Sequence, residues 1–581
     1  MEKKNIAITV LIIALVASGV GNIVLVLIGN PPTPPPSAGT TYVRATSSGP
    51  DTIELVDSWD SASNDVLEQV VQTLFFWDLA NVDLPMIMRL AYSYYFVDET
   101  HIQIRLREGI LFHDGTPFNA QAAKWNMDRL LYLTNCSGTN TGGIAQTQSL
   151  WMFPDGVTPI IASVATVGNY NITITLNGAY APILSTLTYI NAGMISPTAH
   201  AAQEHSFIDL TTGHLVGTGP FKYVSYTPNV EVRFSRWEEY WQGPANFQTV
   251  IFITYADATT AHNAYLGGGI DENAMYADQN LATYEADPDF TVKRFTVDSG
   301  KPSLVYQYLG VNNQKLNVTW RRAIANAINY SYCIAVLRQG NGIRSVSPIS
   351  PGFGETYNSS IVPGSGGIPA NDGDLTAARA YMQSMGFGVG FTTDAQWIAV
   401  ANSTTPFKTV RNTYNTGNQY REDLFVALSS WLALIGVAVE DDGVTFSEFL
   451  NYLYNVGGGT PDQGWDHLEL YAIGWGPDYL DPYNMLDPLF NPVSSSNSAQ
   501  VNDTTLNVMM ASALTETDET ARNTIYKNIQ WYIASNFFHI PIYHAKVTYT
   551  QRSNILGWPY NAMGSTRIYP IYRSLYPPFG E

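Results

Sequence analysis

Between Ile473 and Pro482 the chain reads Ile-Gly-Trp-Gly-Pro-Asp-Tyr-Leu-Asp-Pro, which puts one large aromatic face and two carboxylates into a single short segment. A tryptophan at a strand end offers a flat surface for stacking on a sugar ring, a peptide plane or another aromatic ring, with one indole N–H to donate. An aspartate in the same place holds an ammonium group, because charge-assisted hydrogen bonds are strong when desolvated. Aspartate before a turn or a proline also has a plainer use, as a cap. Asp481, directly before Pro482, suits the cap, whereas Asp478 suits either role. Other chemistries lack their residues: the chain carries neither a G-x-S-x-G elbow nor an H-E-x-x-H pair. His101, His113, His200, His205 and His214 show no i, i+4 ligand pair on one helix, which argues against nickel. Gly217-Thr218-Gly219-Pro220 lacks the Gly-Lys-Ser/Thr ending of a phosphate cradle and reads as a turn. A pair of catalytic carboxylates distant in sequence stays open.

Alternating strands and helices must position these groups. Ile102, Ile104 and Leu106 alternate with Gln103, Arg105 and Arg107 at strand period; Asp114-Gly115 supplies a turn, and Asn119 caps a helix starting near Ala120. From Phe221 onward two alternating strands meet at a Pro-Asn turn, followed by Tyr240 and Trp241, which either pack under that turn or touch a ligand. Ala and Ile positions between Trp320 and Asn329 recur at helical spacing and read as core. Leu375 to Gly386 and Glu422 to Val439 read as helix-to-strand units with Gly386 and Gly436 as stops, and Arg522 to Ile533 as an amphipathic helix.

A chain of 581 residues exceeds one hydrophobic core and implies about two to four lobes. With 45% hydrophobic residues burial is not limiting, while a net charge of −20 excludes a nucleic-acid partner, which needs clustered Lys and Arg. Only 13% of residues are charged, so Asn, Thr, Ser, Gln and Tyr must wet the surface, a composition common outside the cell. Sequons at Asn135, Asn171, Asn317, Asn329, Asn358, Asn402 and Asn502 point to a glycoprotein. Lys3 and Lys4 precede an uncharged, mainly apolar run from Ile6 to Ile28, about the 20 residues that cross a bilayer core, with the following chain outside. A cleaved signal is the competing reading, but the apolar run continues past the small residues Ala17 to Gly19. Pro31 to Pro36 then form a stiff spacer.

Several motifs, in order, carry a family resemblance. Leu106 to Leu131 follows the pattern LR.G..FHDGTPF.A......M.RL; Gly217 to Ala245 follows GTGPY with a later YW.G.P; Ala264 to Asp271 ends like L..GeiD; Leu309 to Asn313 with Trp320 to Asn329 is similar to l.fN followed by rvRqAi.yAid. Gly474 to Pro482 is close to GW.aDYpDP, and Ile540 to Tyr543 to iPly. The chain resembles the family 5 (peptide, nickel or oligosaccharide) extracellular solute-binding proteins of ABC importers. It looks like an archaeal type with an N-terminal membrane anchor, since no Cys follows the apolar run to carry a lipid. The resemblance implies an α/β fold, periplasmic-binding-protein-like, class II and Dpp/Opp-type, with two main lobes around a cleft and an extra third lobe. Residues 1–29 would be the anchor or signal and 30–40 a Pro-rich linker. Lobe I would comprise 41–75, 185–300 and 548–581, lobe II 76–184, and lobe III 301–547.

It implies a non-enzyme on the outer cell surface that captures oligopeptides or oligosaccharides between lobes I and III. No catalytic residue, metal or cofactor is expected, and ABC permease subunits, with ATP hydrolysed elsewhere, are the partners. Trp475, Asp478, Tyr479, Asn64 and Asn312 form the expected ligand set. In peptide-binding members an aspartate at the position of Asp478 holds the peptide amino terminus. On this layout Cys136 and Cys333 fall in different lobes, so two separate buried thiols are expected. A structural surface protein reusing the fold, or a secreted hydrolase, remains the alternative.

Overall fold

Asn119 accepts the N–H of Ala122 at 3.0 Å and opens the helix Ala120–Leu133, and the strand His101–Leu106 buries Ile102, Ile104 and Leu106. Between them Asp114 accepts the N–H of Thr116 at 2.9 Å, and Gly115 takes φ 82°, a left-handed turn that side chains disfavour. These residues belong to a computed structural model that describes 40–81, 83–294, 302–366, 368–559, 562–564 and 566–574. The expected anchor (1–29), Pro31 to Pro36 and the first residue of the expected lobe III, Lys301, lie outside the described residues. Among the described residues no helix is long and apolar enough to cross a membrane. The chain from Pro36 onward belongs to one compact unit.

Among the described residues three sheets carry most strands. A four-stranded antiparallel sheet runs in the order Ala91–Asp98, His101–Leu106, Asn171–Leu176, Ile161–Val167, with Ala120–Leu133 against it. A seven-stranded mixed sheet runs Phe290–Arg294, Thr548–Arg552, Glu272–Asn273, Thr41–Thr46, Thr249–Thr254, Glu231–Arg236, Phe221–Thr227; its middle strand Thr41–Thr46 is parallel to both neighbours. A six-stranded mixed sheet runs Gly342–Arg344, His539–Ala545, Tyr306–Val311, Leu470–Trp475, Lys408–Asn415, Val437–Val444, the last three mutually parallel.

Parallel neighbours need a crossover, usually a helix. Between Lys408–Asn415 and Val437–Val444 that helix is Gln419–Ala433, which buries Leu424, Leu428 and Leu432 against the sheet. It stops at Gly436, with φ 75°, where a Cβ would also lie 2.4 Å from the Phe407 ring. The turn at Gly217 is a packing device: a Cβ there would fall 2.2 Å from the Val70 carbonyl oxygen, so only glycine lets this segment close on the helix Ser61–Val70. Gln72 donates to the Tyr240 hydroxyl at 2.8 Å and accepts from Trp241 Nε1 at 3.0 Å, so the two aromatics pack beneath that turn. Glu54 and Arg129, about as buried as side chains become, pair through two bonds of 2.8 and 2.5 Å and tie Ala120–Leu133 to the segment before Ser61. Cys136 and Cys333 are free and buried.

Candidate ligand-binding cleft

Strand ends define the site. In α/β sheets ligands bind beyond the carboxyl ends of parallel strands, where connections diverge. A cleft of about 670 Å³ lies beyond the ends of Thr41–Thr46 and Thr249–Thr254 on one side and of Lys408–Asn415 and Leu470–Trp475 on the other. The first wall includes Ser47, Trp59, Asp60, Asn64 and Asp278; the second includes Tyr308, Arg421, Tyr454, Trp475 and Asp478.

Asp478 lines the cleft and is half-buried. Its Oδ2 accepts from Trp59 Nε1 at 3.1 Å and from Asn484 Nδ2 at 3.0 Å, and its own backbone N–H donates to Asn484 Oδ1 at 2.6 Å. Burial pushes its carboxyl up to about 6, against the pull of hydrogen bonds from Asn484, Trp59 and Tyr189. Trp475 stands edge-on to Trp59, ring centroids 6.1 Å apart, while Tyr454 stacks on Trp59 at 6.4 Å. The indole N–H of Trp475 donates to the Asn484 carbonyl at 3.3 Å, so the expected free donor is already used and the ring surface is what Trp475 offers. Asn64 accepts from Ser58 Oγ at 2.7 Å and donates to the Tyr189 hydroxyl at 3.3 Å, linking it to the same cluster.

Two residues of the expected set lie elsewhere. Tyr479 is 1% exposed, turned into the core beside Tyr180 in the bend that follows the strand Leu470–Trp475. Asn312 is fully buried at the end of Tyr306–Val311, donating to the carbonyls of Trp465 and Leu468 at 3.2 and 2.9 Å. Neither lines the cleft. Asp481 caps the helix Pro482–Phe490 through the Tyr483 N–H at 2.9 Å and pairs with Arg522 at 2.8 Å.

Trp59, Tyr454, Asn484 and Arg421 were not singled out from sequence. Arg421 carries a signal in retrospect. It occupies the first turn of Gln419–Ala433, where the helix dipole disfavours a cation, which marks it for another use. Its guanidinium donates to Asn415 Oδ1 and lies 5.8 Å from the Phe449 ring centre, and burial lowers it to about 10. Among the described residues it has no carboxylate partner, whereas the cleft's other arginine, Arg338, pairs with Asp278 at 2.7 Å. No group of three or more His, Cys, Asp or Glu that could hold a metal ion is present among the described residues.

The family model described as bacterial extracellular solute-binding proteins, family 5 middle, matches residues 86–497. The chain belongs to this family. Among its relatives, heme-binding protein A of Haemophilus influenzae is 25% identical over 484 residues, 80% of each chain. A glutathione-binding protein, GsiB, of Shigella flexneri is 25% identical over 521 residues, 87% of this chain and 89% of that one. The periplasmic binding protein DppA of Helicobacter pylori, solved with the peptide STSA, superposes with a TM-score of 0.77 at 20% identity, covering 92% of this chain and 98% of that one. A dipeptide-binding protein of Pseudoalteromonas, solved with Met-Leu, gives 0.77 at 19% identity over 92% and 100%. The fold is therefore that of the Dpp/Opp-type periplasmic binding proteins. As a family 5 solute-binding protein of ABC importers, the chain is a binding protein and not an enzyme.

Proposed function

We propose that this family 5 protein captures peptides in the cleft and hands them to ABC permease subunits from the outer face of the membrane. The observation that carries the reading is the pairing of one half-buried carboxylate, Asp478, with one carboxylate-free guanidinium, Arg421, in the same cleft. A zwitterion needs both: Asp478 receives the amino terminus, and Arg421 receives the carboxylate. Trp475 stacks on the first peptide planes, and Asn64 holds the Tyr189 hydroxyl beside Asp478. Tyr479 and Asn312 support the walls from behind. The residues 41–75, 185–300 and 548–581 act as one lobe and 301–547 as the other. Closure is a population shift, because contacts from both walls to one ligand exist only when the walls meet. The apolar run Ile6 to Ile28 holds the protein at the cell surface.

A second reading has its own support, since Trp59, Tyr454 and Trp475 offer aromatic faces that suit a sugar ring. A thermal-shift screen of the purified protein against di- to octapeptides, oligosaccharides and nickel chelates separates them. A ligand at 100 times its Kd stabilises by about 2.7 kcal/mol. Shifts confined to peptides are expected, and shifts confined to oligosaccharides replace this reading with the second.

A further inference from the structure

The strand Ala91–Asp98 forms one edge of the four-stranded sheet and pairs only with His101–Leu106. Among the described residues no backbone hydrogen bond from Tyr92 to Val97 goes anywhere else, so a row of N–H and C=O groups faces outward. From Ala91 to Val97 the strand reads Ala-Tyr-Ser-Tyr-Tyr-Phe-Val, without a charge or a proline. Tyr92, Tyr95 and Val97 are 56, 58 and 59% exposed. Phe96 lies opposite the fully buried Ile102, on the core side of the sheet, yet it is 46% exposed, with no further strand beyond it.

Proteins blunt open edges with charges, short strands or cover. The other outer strands of the three large sheets do so. Phe221–Thr227 carries Lys222, Phe290–Arg294 ends in Lys293 and Arg294, Val437–Val444 carries Glu440, Asp441 and Asp442, and Gly342–Arg344 has three residues. The far edge of the same sheet, Ile161–Val167, is uncharged but exposes mainly Ala162, Ser163 and Ala165, which offer little apolar area. Ala91–Asp98 is also polarised along its length. Arg105 and Arg107 flank the Tyr92 ring at 5.2 and 5.9 Å near its first end, whereas its other end runs into Asp98 and Glu99.

We propose that this edge is a contact between two copies of the chain, which pair antiparallel about a two-fold axis at Tyr95 and join their four-stranded sheets into one. A two-fold contact uses the same patch twice, and an antiparallel strand pair allows a strand to be its own partner. Centring the register on Tyr95 keeps every side chain on its own face. Tyr95 then meets Tyr95 of the second copy, Tyr94 meets Phe96, and Ser93 meets Val97, cross-strand pairs of the kind that stabilise sheets. The same register sets Glu99 of each copy opposite Ala91 of the other, at the end that holds Arg105 and Arg107, so the two ends are complementary in charge. A strand also completes the open N–H and C=O groups, which a bilayer surface does not, and a net charge of −20 opposes docking on anionic lipid. One strand pair with its flanking aromatics buries an area at or below the low end of stable interfaces, about 1,200 Å², so the dimer is weak and forms at micromolar concentration. No residue of this strand lines the cleft, so the contact is independent of the ligand.

The test is sedimentation velocity of the purified full-length protein across about 1 to 200 µM, where a reversible monomer–dimer equilibrium is expected. Tyr95→Lys sets two ammonium groups against each other on the axis, and Val97→Lys adds a cation beside the arginines; each is expected to raise the dimer Kd at least about tenfold. Tyr95→Phe should leave the Kd within about twofold of the wild type. Both lysine positions are exposed, so an unchanged melting temperature separates lost association from lost fold. A monomer throughout the range, or a dimer that both lysine variants leave intact, overturns the proposal. A monomer that floats with phosphatidylglycerol vesicles assigns the strand to a membrane surface and overturns it as well.

Discussion

Asp478 is held by side chains from both walls, Trp59 from one and Asn484 from its own, and burial raises its carboxyl to about 6. That shift has two consequences of opposite sign. In the ligand-free protein the folded state binds the proton more tightly than the unfolded chain, so this group's contribution to stability is present below pH 4 or so and is lost as pH rises through about 6. An ammonium ligand needs the ionised form, so affinity moves the other way. Peptide affinity is expected to fall about tenfold from pH 7 to pH 5, the penalty of deprotonating a group with pKa about 6. Asp478→Asn should weaken binding and flatten the profile. Titrations at four pH values check this, and a flat profile in the wild type would remove Asp478 from the ligand.

At the scale of elements, the helix Pro482–Phe490 is what fixes the Asp478 loop, because Asn484 in its first turn bonds both the Asp478 carboxylate and its backbone N–H. The helix in turn hangs on Asp481, which caps it, pairs with Arg522 at 2.8 Å and accepts from the Tyr526 hydroxyl at 2.8 Å. Asp481→Ala therefore leaves a buried cation unpaired and should cost about 3 kcal/mol in denaturant unfolding. A midpoint change worth under about 1 kcal/mol would show that Arg522 finds another partner. Asp481 was legible as a cap because Asp-Pro is a local signal, as were Asn119 before Ala120–Leu133 and Gly436 after Gln419–Ala433. Trp59 on Asp478 spans 419 residues of sequence, and no local pattern announces it. Tyr479 and Asn312 read as ligands for the same reason. Their place in a motif is visible in the chain, but the side to which each turns is set by packing, and both turn into the core.

Across the whole molecule the α/β class, the strand-turn-helix at His101 to Leu133 and the family's cleft architecture were readable from ordered motifs, whereas the charge inventory of the cleft was not, since its residues come from both sheets. The walls touch at a second place away from Asp478. Asp278 accepts from Asn341 at 2.6 Å and pairs with Arg338, while Tyr420 and Tyr543 flank that guanidinium at 5.8 and 5.5 Å. On the proposed lobe layout this contact joins the two walls. Asp278→Ala should give the ligand-free protein a larger radius of gyration in solution scattering, with the peptide-bound form unchanged, because the contact contributes to closure independently of ligand. Identical scattering from variant and wild type without ligand would mean that the contact does not govern closure.

The central claim, a peptide held by its free amino terminus on Asp478, is met most directly by calorimetric titration of the purified protein with one tetrapeptide in its free and its N-acetylated forms. The free peptide is expected to bind at least about tenfold more tightly, and Asp478→Asn to erase most of that difference. Equal affinity for the two forms in the wild type would contradict the account.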